Sequence, residues 1–166
     1  MTKDQPLLRL CAKLQAFFHK PFFTNPRTLF GLWTLLAVVA GLTKMAPHRH
    51  NNFLIFRGVF WHPIQKLSLY DCYPTEYNDH NHYGPIFSLV IAPFAVVPDA
   101  IGLLGWLVVL ALGMYYAVRR LPLEEGRQIF LYWFCAHELL TALQMQQFNI
   151  AIAAIIIGSF AAIEKG

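Results

Sequence analysis

The sequence predicts an all-α protein, a polytopic bundle of about four transmembrane helices with juxtamembrane helices in its first outer loop. Three observations predict it. Of the 166 residues, 57% are apolar and only 13% are charged, against roughly 25% charged in ordinary soluble domains. Five apolar stretches follow residue 27, and four of them reach or approach the roughly 20 residues that cross a hydrocarbon core about 30 Å thick. The lysines and arginines gather at those stretch ends that a four-span path brings to one side, as the cytoplasmic preference of Lys and Arg requires.

In chain order, Leu7, Leu10, Cys11, Leu14, Phe17 and Phe18 recur at helical spacing while Arg9, Lys13 and Lys20 fall on another face. This pattern over 7–20 predicts a basic helix lying on a membrane surface, within a cytoplasmic segment 1–27. The first long apolar run begins only after Pro26 and Arg27, unlike a cleaved signal peptide, so this segment is expected to be retained. The remaining region, 28–166, is the transmembrane part.

The first span is predicted at about 28–45, with Lys44 close enough to its end to snorkel. An outer loop, 46–99, turns polar and aromatic. Phe53, Phe56, Val59 and Phe60 lie at helical spacing and predict a short amphipathic helix there. The run Ile86 to Val97 is too short to cross and contains Pro93, so it reads as a juxtamembrane helix that stays on one side. Further spans are predicted at about 100–118, 129–145 and 148–163.

With four crossings and a cytoplasmic N-terminus, the inside receives Lys3, Arg9, Lys13, Lys20, Arg27, Arg119, Arg120, Arg127 and Lys165. The outside receives Lys44, Arg49, Arg57 and Lys66, spread over a longer segment. The polar loop and the turn Gln144 to Asn149 therefore fall on the same outer face, where they can meet.

Some functions are excluded early. The net charge of +4 is small and the basic residues are not interleaved with aromatics, so no nucleic-acid surface is expected. Cys11, Cys72 and Cys135 sit in three different settings, which gives neither a disulfide framework nor a CxxC metal site.

Candidate chemistry concentrates in the outer loop. Asp71, Glu76 and Asp79 are its acids before Asp99, and a positioned carboxylate can remove a proton from an acceptor hydroxyl. The alternative for each is a solvated loop charge. Two HxH pairs, His48 with His50 and His80 with His82, could with Asp79 hold zinc or copper, or simply be solvated. A divalent metal is thus an option, with no cofactor firmly implied. The loop aromatics suit a membrane interface or a sugar-stacking surface.

Glu138, beside His137 in the predicted third span, is costly at that depth and so a candidate. Thr141 and Gln144 continue a polar stripe that would point into the bundle towards the outer face, or else serve as a helix-packing network. In the last span Ala151, Ala154, Gly158 and Ala161 form a small-residue stripe that calls for a partner helix.

From Asn51 to Lys165 the residues resemble glycosyltransferase family 87, bacterial membrane enzymes of the GT-C superfamily. The resemblance lies in NNFLIFRGVFWH, LYDCYPTEY, NHYGPIFSLVIAPFAVVPD, LGW, YYAVRRLP and QQFNIAIAAIIIGSFAAIEKG. Gln147 and Asn149 match the family's Gly-Gln-x-Asn turn, with Gln146 in place of the usual glycine. The resemblance implies a GT-C-like fold in the bacterial plasma membrane. It implies transfer of a hexose, often mannose, from a polyprenyl-phosphate carrier to a lipid or glycan acceptor on the outer face.

The chain departs from the pattern at two points. Asn51 and Asn52 stand where the family commonly has an acid, and a neutral amide can bind a sugar but cannot act as a base. Family members are also usually more than twice this long, so the chain resembles an N-terminal portion, with further helices expected to complete the donor cavity. The resemblance therefore makes Asp79 the first choice of base, with Glu76 and Asp71 behind it. It gives His82, Gln147 and Asn149 the donor sugar or phosphate, and Arg57 the phosphate. Asn51, Asn52, Tyr83 and Glu138 complete the expected substrate-binding set. The alternative function is a non-catalytic small membrane protein, a transporter or assembly subunit, or an inactive remnant.

Overall fold

The computed structural model describes residues 9, 10, 12, 13, 16, 20–46 and 49–164. Most of the amphipathic pattern over 7–20 lies outside the described residues, as does His48. Among the described residues the secondary structure is entirely helical. A single turn, α1 (Pro21–Thr24), leads into α2 (Pro26–Lys44). Proline at the first position of α2 has the helical φ in advance, and the Asn25 side-chain oxygen accepts the Arg27 N–H at 2.8 Å. Then come α3 (Asn51–Ile64), α4 (Phe87–Ala95), α5 (Asp99–Arg119), α6 (Glu125–Phe134), α7 (Ala136–Gln144) and α8 (Asn149–Ile163).

α5 is the central helix. α2, α4 and α8 pack along it, α3 packs on α4, and α7 packs on α2. The buried positions of α2, Leu29, Trp33, Ala37 and Ala40, repeat every three or four residues and face α5 with a stripe that narrows toward its C-terminus. A glycine permits the closest approach elsewhere in the core. A Cβ at Gly102 would overlap the Phe94 carbonyl oxygen and stand 2.8 Å from Phe53 Cζ, so α3, α4 and α5 meet here only over a bare Cα. Two aromatic groups fill the core. Trp33, Tyr115 and Tyr132 meet at one end, and Phe56, Phe87, Trp106 and Phe148 at the other.

Among the described residues, two helices are long and apolar enough to cross a membrane, Pro26–Lys44 and Asp99–Arg119. They coincide within two residues with the first two predicted stretches. The third stretch is two helices rather than one. Trp33 donates its indole N–H to the Tyr132 carbonyl at 3.2 Å, occupying an acceptor just ahead of the break at Cys135. Regular bonding resumes with Leu139 N–H to the Cys135 carbonyl at 2.8 Å. The fourth stretch is a helix of 15 residues, about 22 Å long. The run around Pro93 forms a helix of only 9 residues. In α8, Ala161 is buried, but a Cβ on Gly158 would meet nothing within 4 Å. The small-residue stripe is thus only partly engaged within the chain.

Candidate functional site

Two cavities lie on two faces of α3. The first, about 240 Å³, is lined by Asn52, Asp79, His82, Tyr83, Gln147 and Asn149, together with Ile55, Phe56, His80 and Phe148. Six residues expected from the sequence to serve catalysis or binding thus converge from three separated segments. Asp79 is the one carboxylate among the described residues lining this cleft. Its Oδ1 accepts the backbone N–H of His80 at 2.7 Å, which orients the carboxylate. Tyr83 stacks on Phe87 with ring centroids 4.6 Å apart and meets Phe56 edge-on at 5.1 Å. Burial pushes its hydroxyl pKa up.

The cleft is built around one turn. Gln146 has φ 54, in the left-handed region where glycine is the usual occupant. The side chain that makes this conformation costly also compensates for it. Its oxygen accepts Phe53 N–H at 3.0 Å, and its nitrogen donates to the Arg49 carbonyl at 3.2 Å. The first N–H groups of a helix have no intrahelical partner, so Gln146 caps α3 from across the molecule. Asn52 returns the contact, donating to the Met145 carbonyl at 2.7 Å. This seats the Gln147–Asn149 turn against the start of α3.

The second cavity, about 520 Å³, lies on the opposite face of α3, where Leu54, Arg57, Gly58, Trp61, His62 and Gln65 form one wall and Glu76 comes from the loop. Arg57 was expected to hold phosphate beside Asp79, but it belongs to this face. Its guanidinium is paired with Asp99 and also donates to the Ala95 carbonyl. That carbonyl ends α4 and receives the Trp61 indole N–H as well, at 3.0 Å. Burial lowers the Arg57 pKa, and the Glu76 charge partly offsets this. Glu76 Oε2 lies 3.0 Å from Nε2 of His62, whose side chain is 1% exposed. Sequence reasoning did not select His62. Burial, reinforced by Glu76, pushes the neighbouring Tyr77 hydroxyl up to about 12. His62 Nδ1 and Tyr77 Oη are both buried without a hydrogen-bond partner.

Other expected site residues stand apart. Asn51 is a tether, its Oδ1 accepting the Asn78 N–H at 2.7 Å, so it is committed to holding the acidic loop. Asp71 is exposed and lines neither cavity. Glu138 does not point into the bundle. The buried face of α7 is Leu139 and Leu143, which turns Glu138 and Thr141 outward. Glu138 pairs with His137 at 3.5 Å, both more than four-fifths exposed, at the rim of an apolar cavity of about 250 Å³ that also touches Asn149. Among the described residues no three His, Cys, Asp or Glu side chains converge as a metal would need. His50 Nδ1 lies instead 3.1 Å from the Lys44 carbonyl.

The sequence carried a signal for the second cavity. Leu54, Arg57, Gly58, Trp61, His62 and Gln65 follow the i, i+3, i+4 rhythm of one helical stripe. Nothing in that rhythm announced the loop carboxylate that closes over it.

The family model described as Glycosyltransferase family 87 matches residues 81–166, which include His82, Tyr83, Gln147 and Asn149. No curated protein and no solved structure matches the chain.

Proposed function

The chain belongs to glycosyltransferase family 87, and from that premise we propose that it acts in a membrane, transferring a hexose of the mannose type from a polyprenyl-phosphate carrier to a lipid or glycan acceptor at the outer face. The observation that carries this reading is the convergence of Asn52, Asp79, His82, Tyr83, Gln147 and Asn149 on one cleft. Two long apolar helices support the membrane setting.

In the proposed reaction the acceptor oxygen attacks the anomeric carbon, the bond to phosphate breaks, and the phosphate leaves with the electron pair. Asp79 takes the acceptor proton. Asn52 cannot do so because an amide has no basic site at neutral pH, and Asp79 is the carboxylate that the described cleft walls offer. His82, Gln147 and Asn149 supply hydrogen bonds to sugar or phosphate, and Tyr83 offers an aromatic face. At 240 Å³ the cleft is smaller than the roughly 300–1,000 Å³ of drug-sized pockets, in keeping with one sugar ring rather than a whole lipid.

The test is transfer of radiolabel from polyprenyl-phosphate mannose by the purified chain in lipid nanodiscs. Asp79→Asn should abolish transfer, whereas Asp71→Asn, on an exposed loop position, should leave it intact. Undiminished transfer by Asp79→Asn would remove this carboxylate from the mechanism, and no transfer by the unmodified chain would refute the proposed activity.

A further inference from the structure

A glycosyl transfer has two substrates, and α3 separates two cavities. Resting on the transferase reading above, we infer that the cavity bearing Arg57, Gly58, Trp61, His62, Gln65 and Glu76 is a second saccharide site, distinct from the Asp79 cleft, and holds a hydroxyl-rich ring of the acceptor glycan.

Its volume of about 520 Å³ lies within the usual range of ligand sites. Its chemistry selects a neutral polyol over an anion. Arg57 is committed to Asp99 and to the end of α4, and Glu76 adds negative charge. Among the described lining residues no other Lys or Arg is present to meet a phosphate. What remains is a set suited to hydroxyls. Glu76 is half exposed and uses one oxygen on His62, which leaves the other to accept. His62 holds that carboxylate in place through Nε2 at 3.0 Å, and its own Nδ1 is buried behind the wall. Trp61 is fixed by its indole bond to the Ala95 carbonyl and gives the site a rigid amphipathic ring. Gly58 lets His62 and Tyr77 close against α3 as part of the wall, since a Cβ there would stand 3.1 Å from both His62 Cε1 and Tyr77 Cε1.

The two cavities share a roof. Glu76 and Asp79 belong to one loop, anchored between them by Asn78 on Asn51.

The experiment is saturation-transfer difference NMR of methyl α-D-mannopyranoside with the full chain in detergent micelles, which reads binding without requiring turnover. The unmodified chain should give transfer signals. Gly58→Val, which pushes His62 and Tyr77 out of the wall, and Glu76→Gln, which alters an exposed side chain with little risk to folding, should each lose half or more of the signal. Asp79→Asn should keep the component that those two variants lose. Signals unchanged in both Gly58→Val and Glu76→Gln, or no signal from the unmodified chain, overturn the second site. Binding of this kind in a chain that transfers no radiolabel would leave the site standing and sink the transferase reading instead.

Discussion

Gln146 accepts the backbone N–H of Phe53 through its side-chain oxygen, at 3.0 Å and 93 positions away along the sequence. This bond fixes where α3 begins relative to the turn after α7, and so fixes the width of the Asp79 cleft. It also tolerates a left-handed backbone at a residue with a Cβ. Removing the amide exposes the balance. Gln146→Ala should cost about 1–2 kcal/mol, the usual cost of losing a helix cap. Gln146→Gly should lose less, because glycine relieves the left-handed conformation while losing the same cap. Thermal melts of both variants in micelles measure the difference, and equal losses would mean that the backbone carries no strain there.

Gly102 sits where three helices meet, and a methyl group there would overlap the Phe94 carbonyl oxygen. Backbone cannot yield as a side chain can. Gly102→Ala is expected to destabilise the fold by about 1–3 kcal/mol or more. Gly113 lies on the same helix with nothing within 4 Å of the Cβ position, and Gly113→Ala should be neutral or stabilising by up to about 1 kcal/mol. Comparing the two melts separates steric overlap from helix propensity.

Tyr77 gives the fold a pH limit. Its hydroxyl is raised from the ordinary value of 10 to about 12, chiefly by burial. The folded chain therefore holds this proton more tightly than the unfolded one. Its contribution is complete below pH 10 and is lost as pH rises towards 12, about 2–3 kcal/mol in all. Tyr77→Phe should flatten that part of the stability profile. At neutral pH it should cost little, because the hydroxyl it deletes has no partner. Melting curves recorded from pH 8 to pH 12 test both halves.

Arg57 and Asp99 form a partly exposed pair linking α3 to the first turn of α5. A double-mutant cycle with Arg57→Ala and Asp99→Asn should return a coupling of about 0.5–1 kcal/mol, as for other partly exposed pairs. Neither variant should change the KM for a polyprenyl-phosphate donor. A large rise in that KM for Arg57→Ala alone would return Arg57 to the phosphate.

How far the sequence could be read depended on the kind of information each feature needed. Uninterrupted apolar runs marked α2 and α5 within two residues, because a helix of that length requires only composition and period. The spacing of Phe53, Phe56 and Val59 marked α3 for the same reason. The cleft was legible through sidedness: charge counting put the acidic loop and the Gln147 turn on one face before any contact was known. Features that depend on a single distant atom were not legible. No proline or glycine marks the break at Cys135, where a carbonyl is taken by Trp33 from another helix. Arg57 was read as a phosphate ligand because nothing local to it reveals Asp99. Glu138 was placed inward by its cost in lipid, whereas Leu139 and Leu143 decide which way α7 faces. His62 passed unnoticed among the histidines near it, and its burial depends on Gly58 one turn earlier making room.

The Gln146 cap also sets a schedule for biosynthesis. α3 leaves the ribosome with its first turn open, and the residue that closes it is synthesised 93 positions later. At roughly 5–20 residues per second that interval is about 5–20 s, during which Asn52 and the acidic loop have no turn to pack against. The cleft is therefore assembled late, after α5, α6 and α7 have been made. A nascent chain stalled before Gln146 would carry the two long apolar helices α2 and α5 but neither α8 nor the finished Asp79 cleft.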